Sequence, residues 1–255
     1  YRGYIGTSGF GSGNINNADN GYMNPFATFI TCSTGDFNYT SLSEDFIRAG
    51  SVTNPKGAVA AVGTATSSTH TAPNNIVQMG IYEGIFSKGL ETAGAALVNG
   101  KITLYNTYIS GSSSTVDNFT HWNNLMGDPV LKLWTDTPSQ IMPGHPDLIN
   151  WGTNYIEITA LDSDGVPIQN AWITLSKDEW SQSLSAYSDM NGLASFYIDY
   201  SNTSDITVTI SKRNHVPYQS VIPVSDNQTE ILINSYYVED SSSENDDSIN
   251  AGETL

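Results

Sequence analysis

The period of hydrophobicity changes once along this chain, near residue 137, and that change limits the folds open to it. Before it, Gly57-Ala58-Val59-Ala60-Ala61-Val62-Gly63 carries no polar side chain. A strand of this kind is buried on both faces, which suits a parallel sheet covered by helices. Ala27-Thr28-Phe29-Ile30-Thr31 reads as a second buried strand. Apolar residues then recur at helical spacing through Ile76, Val77, Met79, Ile85 and Phe86, and residues 94–108 form a further helical stretch. Ser43 is the expected cap of a helix over 44–48, with Gly50 just past its end. Asp117 is the expected cap of a helix through Phe119, Trp122 and Leu125, and 129–134 reads as a closing strand. Strands alternating with helices predict an α/β domain over residues 1–136.

After that point the period is two. Tyr155-Ile156-Glu157-Ile158-Thr159-Ala160-Leu161 alternates and runs into the turn signal Asp162-Ser163-Asp164-Gly165. Further strands are expected at 171–175, 192–198, 206–210, 218–224 and 230–233. Short strands at this density predict an all-β immunoglobulin-like sandwich over 137–235. Thr137-Pro138-Ser139 and Met142-Pro143-Gly144-His145-Pro146 read as a Pro-rich connector leading into it. Residues 236–255 are an acidic linker or the start of a further domain. Tyr1-Arg2-Gly3-Tyr4 reads as the middle of a domain, so the chain is expected to be part of a longer one.

Charge excludes some partners. The chain carries 9 basic and 26 acidic residues, a net charge of −17. The acidity is concentrated after residue 136, where three basic residues face 17 acidic ones. Nucleic acid is not an expected partner, because phosphate binding needs clustered Lys and Arg. No apolar run approaches the roughly 18 residues of a membrane span, so no membrane insertion is expected. Oligomeric state is not legible. The single cysteine rules out an intramolecular disulfide and a cysteine-based zinc site. No cofactor is required by any motif. Asn14, Asn16, Asn17, Asp19 and Asn20 offer oxygen ligands that could hold a structural Ca²⁺, and so do Asp162 and Asp164. Neither set matches a fixed ligand pattern, so turns are the plainer reading. The glycine-rich 6–13 segment lacks the Lys of a phosphate loop.

Cys32 follows the strand 27–31 directly. In open α/β sheets reactive groups collect at the carboxyl ends of strands, so the thiol is either a nucleophile at a crevice or an inert core cysteine. His70, in the loop after the second buried strand, can approach Cys32 from an adjacent strand end as a general base, or can simply line a loop. His121 is expected to be half-buried packing and His145 a linker residue. His215, in a turn of the sandwich, is remote.

The segment Thr31-Cys32-Ser33-Thr34-Gly35-Asp36-Phe37 resembles the nucleophile segment of the gingipain family of cysteine peptidases, which have a caspase-like fold. Tyr1-Arg2-Gly3 resembles the Tyr-x-Gly before that family's catalytic His. Residues 57–66, followed by Ser67-Ser68-Thr69-His70-Thr71-Ala72-Pro73, resemble its core strand and substrate-pocket loop. Residues 122–131, with Gly127-Asp128-Pro129, resemble the end of its catalytic domain. The resemblance implies a secreted or bacterial cell-surface cysteine endopeptidase acting on protein or peptide substrates, with Cys32 as nucleophile. It also implies that the Cys32 amide and one near residues 3–5 are oxyanion donors. The sequence departs from the family where a His-Gly pair should follow the Tyr-x-Gly. Tyr4 and Ile5 stand there, and a phenol is a poor base at neutral pH. Either His70 takes over the base role, or the chain is a non-catalytic surface or adhesive module that kept the fold and lost the His.

Overall fold

In the computed structural model, which describes residues 9–108, 113–178, 180–198 and 204–226, the chain divides into two compact units. The first is Tyr1–Pro138 and the second Ser139–Leu255. Among the described residues, no helix is long and apolar enough to cross a membrane.

The first unit runs α1 (Ser12–Asn16), β1 (Phe26–Thr28), α2 (Leu42–Arg48) and a small hairpin of β2 (Gly50–Ser51) and β3 (Asn54–Pro55). Then come β4 (Ala60–Thr64), α3 (Thr71–Phe86), α4 (Ala93–Thr107), α5 (Ser113–Trp122) and β5 (Asn123–Met126). The apolar run becomes β4, buried at every position and central in a sheet of order β1-β4-β5. β1 pairs with β4 in parallel, but β5 pairs antiparallel, so the sheet is mixed rather than parallel. The difference lies in β5. Its sequence Asn-Asn-Leu-Met shows no strand pattern, and the strand expected at 129–134 is instead loop, with one bridge from Lys132 to Thr92.

Helices α3 and α4 pack closely because glycines face each other across them. A methyl on Gly80 would lie 2.7 Å from Thr103 Cβ, and one on Gly100 3.0 Å from Ile81 Cγ1. Val77, Ile81 and Ile85 from α3, Ala96, Leu97 and Leu104 from α4, and Ala60 and Val62 from β4 share one core.

Among the described residues, the regular elements of the second unit are all strands. Its main elements are β7 (Met142–Gly144), β9 (Tyr155–Leu161), β10 (Trp172–Ser176), β11 (Leu184–Tyr187), β12 (Leu193–Tyr197), β13 (Ile206–Ser211) and β15 (Tyr218–Ile222). Short strands β6 (Ser139–Gln140) and β8 (Ile149–Asn150) pair in parallel with β14 (His215–Val216) and β16 (Val224–Ser225). Two antiparallel sheets, β11-β10-β13-β15 and β12-β9-β7, share a core. Period-two alternation supplies it. Ile156 and Ile158 point inward from β9, as do Ile173 and Leu175 from β10 and Ile206, Val208 and Ile210 from β13. The connector expected over 137–146 is not a linker. Its residues form β6 and β7, and Ile141 is buried in this core. The strand expected at 230–233 and the segment 236–255 lie outside the described residues.

Candidate active site

β1 hands the chain to the Cys32 turn. The Phe29 amide donates to the Val62 carbonyl at 2.7 Å, extending the pairing past Thr28. Residues 32–35 then form a turn whose second residue, Ser33, has φ +57, a conformation uncommon for a residue with a side chain. The surroundings fix it. Ser33 N donates to Thr66 O at 2.9 Å, and Gly35 N to Thr64 O at 3.1 Å. Thr34 Oγ1 donates to Thr31 O at 2.7 Å and accepts from Thr64 N at 3.2 Å. Gly35 and Gly63 meet backbone to backbone, so that a methyl on Gly35 would lie 2.5 Å from Gly63 C. Such density of constraint around an uncommon backbone angle is typical of functional turns.

The result is an exposed thiol on a rigid support. Cys32 Sγ lies 3.0 Å from Thr69 Oγ1. That hydroxyl, and then the Thr69 amide, hold the thiol below its ordinary range; burial opposes them, and the Cys32 amide adds a lesser contribution in the same direction.

His70 is placed next to this contact but faces other work. It is the N-cap of α3, where its Nδ1 accepts from the Ala72 amide at 3.1 Å. A neutral ring that accepts at Nδ1 carries its proton on Nε2 and presents a donor there. The hydroxyl on the sulfur belongs to Thr69, one residue earlier, which sequence reasoning passed over inside the pocket-loop segment. Buried Asn74, in the first turn of α3, donates through Nδ2 to Ile30 O at 3.2 Å and so ties that turn to the chain just before Cys32. Its Oδ1 accepts from buried Asn123 of β5 at 3.3 Å.

The other expected residues divide. Tyr4, Ile5 and the amides near residues 3–5 lie outside the described residues. His121 is exposed rather than half-buried, its Nδ1 2.7 Å from the Asp117 carbonyl, because Asp117 falls inside α5 and not at its start. His145 is part of the second unit, with Nε2 3.0 Å from both Tyr218 Oη and Ser220 Oγ. Asp162 Oδ1 accepts from the Asp164 and Val166 amides and closes a turn. Among the described residues, no three His, Cys, Asp or Glu side chains gather into a group able to hold a metal ion.

Comparison with known proteins bears on this geometry. The sequence profile of peptidase family C25 matches residues 1–134. No curated protein matches. Among solved structures, the Arg-specific cysteine proteinase gingipain R (RGPB) superposes with TM-score 0.67 at 23% identity, covering 86% of this chain and 50% of its own. The complex of Porphyromonas gingivalis RgpB pro- and mature domains gives TM-score 0.66 at 23% identity, covering 86% and 51%. A structure described only as a protease gives 0.63 at 16% identity, covering 84% and 50%. The chain therefore spans about half the length of the structures it matches, and they support a caspase-like α/β fold. A family match over more than half the chain, on a unit whose exposed Cys32 follows a buried strand, makes this chain a member of peptidase family C25, the gingipain family, with a gingipain-like cysteine peptidase region in residues 1–134.

Proposed function

We propose that the chain carries the nucleophile half of a cysteine endopeptidase acting on protein or peptide substrates outside the cell, followed by an immunoglobulin-like domain. The observation that carries this is Cys32, whose exposed sulfur stands on a clamped turn and is held below the usual thiol range, within a family whose members are peptidases. The Cys32 thiolate attacks the scissile carbonyl carbon, forming an S–C bond and moving the carbonyl electrons onto oxygen. Collapse expels the amine, which takes a proton as it leaves, and water then hydrolyses the thioester and returns the thiol. Donors to the oxyanion stabilise the intermediate most when they are fixed beforehand. The Cys32 amide sits on the clamped turn and suits that role. As general base, His70 would have to release the Ala72 amide, either to use Nδ1 itself or to move the ring proton there and free Nε2.

A second reading has its own support. Tyr4 and Ile5 replace the family's His-Gly, which fits a module that kept the fold without the chemistry. Turnover of peptide libraries separates the two. The peptidase reading expects hydrolysis that Cys32→Ala abolishes and that Tyr4→His raises by about 10²–10⁴-fold, the usual scale of general-base assistance. No turnover by either the wild type or Tyr4→His would establish the binding module. The match to the RgpB pro- and mature-domain complex makes a pro-domain a natural further partner for the peptidase reading.

A further inference from the structure

We infer that Thr69 is the positioning residue of Cys32. It fixes where the sulfur points and stabilises its anion, a role no motif in the sequence assigns. The inference rests on the reading of Cys32 as a nucleophile and specifies how that nucleophile is held.

Three observations carry it. Thr69 Oγ1 is 3.0 Å from Sγ, and the threonine is half-buried while the thiol is exposed, so the hydroxyl is the better-ordered partner. The two segments are cross-tied on either side of the pair. Asn74 Nδ2 reaches Ile30 O before Cys32, and Ser33 N reaches Thr66 O after it, so the backbones that carry Sγ and Oγ1 are held beside each other. The neighbouring His70 is engaged elsewhere, its Nδ1 accepting from the Ala72 amide. A β-branched threonine has few χ1 choices to lose in making this contact.

The chemistry is one of hydrogen bonding. In the neutral thiol, either S–H or O–H can donate across this contact. When the proton leaves to solvent or to a base, the hydroxyl rotates and donates to the sulfur anion, where a charge-assisted bond is stronger. A threonine hydroxyl does not take the proton itself, so Thr69 is not a base. The depressed thiol range agrees with this arrangement.

The test is the pH profile of iodoacetamide alkylation of Cys32 in the intact chain, followed by mass spectrometry. This readout needs no substrate, so it fails or succeeds separately from peptide turnover. Thr69→Val keeps the shape and removes the hydroxyl. It should move the alkylation midpoint to higher pH and slow alkylation near neutrality by about tenfold, the scale of one hydrogen bond to a charged group. At pH above both midpoints the variant should alkylate at least as fast as the wild type, because the more basic thiolate is the better nucleophile, which a purely structural loss would not produce. Thr69→Ser should restore the wild-type profile. A Thr69→Val profile that superimposes on wild type overturns the inference, and so does a Thr69→Ser profile that stays shifted. If Thr69→Val does not fold, the wild-type midpoint decides. A midpoint at the value of an unperturbed thiol overturns the inference, as does a lower one that Thr69→Ala leaves in place, and a lower one that Thr69→Ala raises and Thr69→Ser keeps sustains it.

Discussion

Cys32 and Thr69 stand 37 residues apart in the chain and 3.0 Å apart in space, and that gap explains what could be read in advance. Cys32 was legible because a thiol directly after a buried strand is a local pattern. Thr69 was not, since one hydroxyl among Ser67, Ser68, Thr69 and Thr71 acquires meaning only from a tertiary contact. His70 was legible as a residue of the site, but its helix-capping role was not, because histidine is a less common cap than Ser, Thr, Asp or Asn. Two substitutions separate its roles. His70→Asn keeps a cap acceptor and removes the imidazole, whereas His70→Ala removes both. Thermal melts should show the Ala variant less stable by about 1 kcal/mol and the Asn variant near wild type. If the imidazole is the base, both should lose turnover alike. At Gly63, an added methyl would overlap Ser43 Oγ and lie 2.7 Å from Gly35 N. Gly63→Ala should therefore cost about 1–3 kcal/mol in urea unfolding, the usual range for overpacking. It should also slow Cys32 alkylation, because the Gly35 backbone it displaces is part of the nucleophile turn.

At the scale of elements, the strands with a clean pattern were legible and those held by polar bonds were not. β4 and β9 announce themselves by an unbroken apolar run and by strict alternation. β5 does not, because its first residue is an asparagine that is buried only through its bonds to Asn74 and to the Phe119 carbonyl. α2 begins two residues earlier than its sequence suggests. Ser41 is the N-cap, and Ser43 lies inside the helix, wholly buried, leaving room only for glycine at position 63. The turn between β11 and β12 shows an element set by one carboxylate. Asp189 Oδ1 accepts from the Asn191 amide at 2.8 Å and the Leu193 amide at 2.9 Å. Its carboxyl is held below the usual range, chiefly by the Leu193 amide and then by that of Asn191. A depressed carboxylate stabilises the fold at pH above its unfolded value, and the contribution is lost as pH falls through the folded value. Asp189→Ala should thus lower the melting temperature at neutral pH, and the difference from wild type should shrink on acidification. A difference independent of pH would mean that the side chain acts through packing rather than charge.

For the whole molecule, the organisation into an α/β unit and an all-β unit followed from the change of hydrophobic period near residue 137, close to the division at Pro138 and Ser139, while the prolines concealed that the residues just after it are already strands of the second unit. Proline in Met142-Pro143-Gly144 signals a linker in most contexts. β7 accommodates it at the outer edge of its sheet, where one unpaired amide position is tolerated. A chain starting at Ser139 should therefore fold with a cooperative melt and a β-type circular dichroism spectrum. One starting at Pro146 loses β6, β7 and buried Ile141, and should melt at lower temperature or without cooperativity. Equal melts would place β7 outside the cooperative unit.

The position of this boundary also governs how such a chain can be recombined. Leu133 is committed to the first core and Ile141 to the second, and both are buried. A gene fusion that keeps either unit intact must break in the short stretch between them, around Thr137 and Pro138. A junction placed after the next prolines would carry the second unit's edge strand away with the peptidase unit. The transplanted β-unit would then expose the flank of β9, a template for unintended strand pairing.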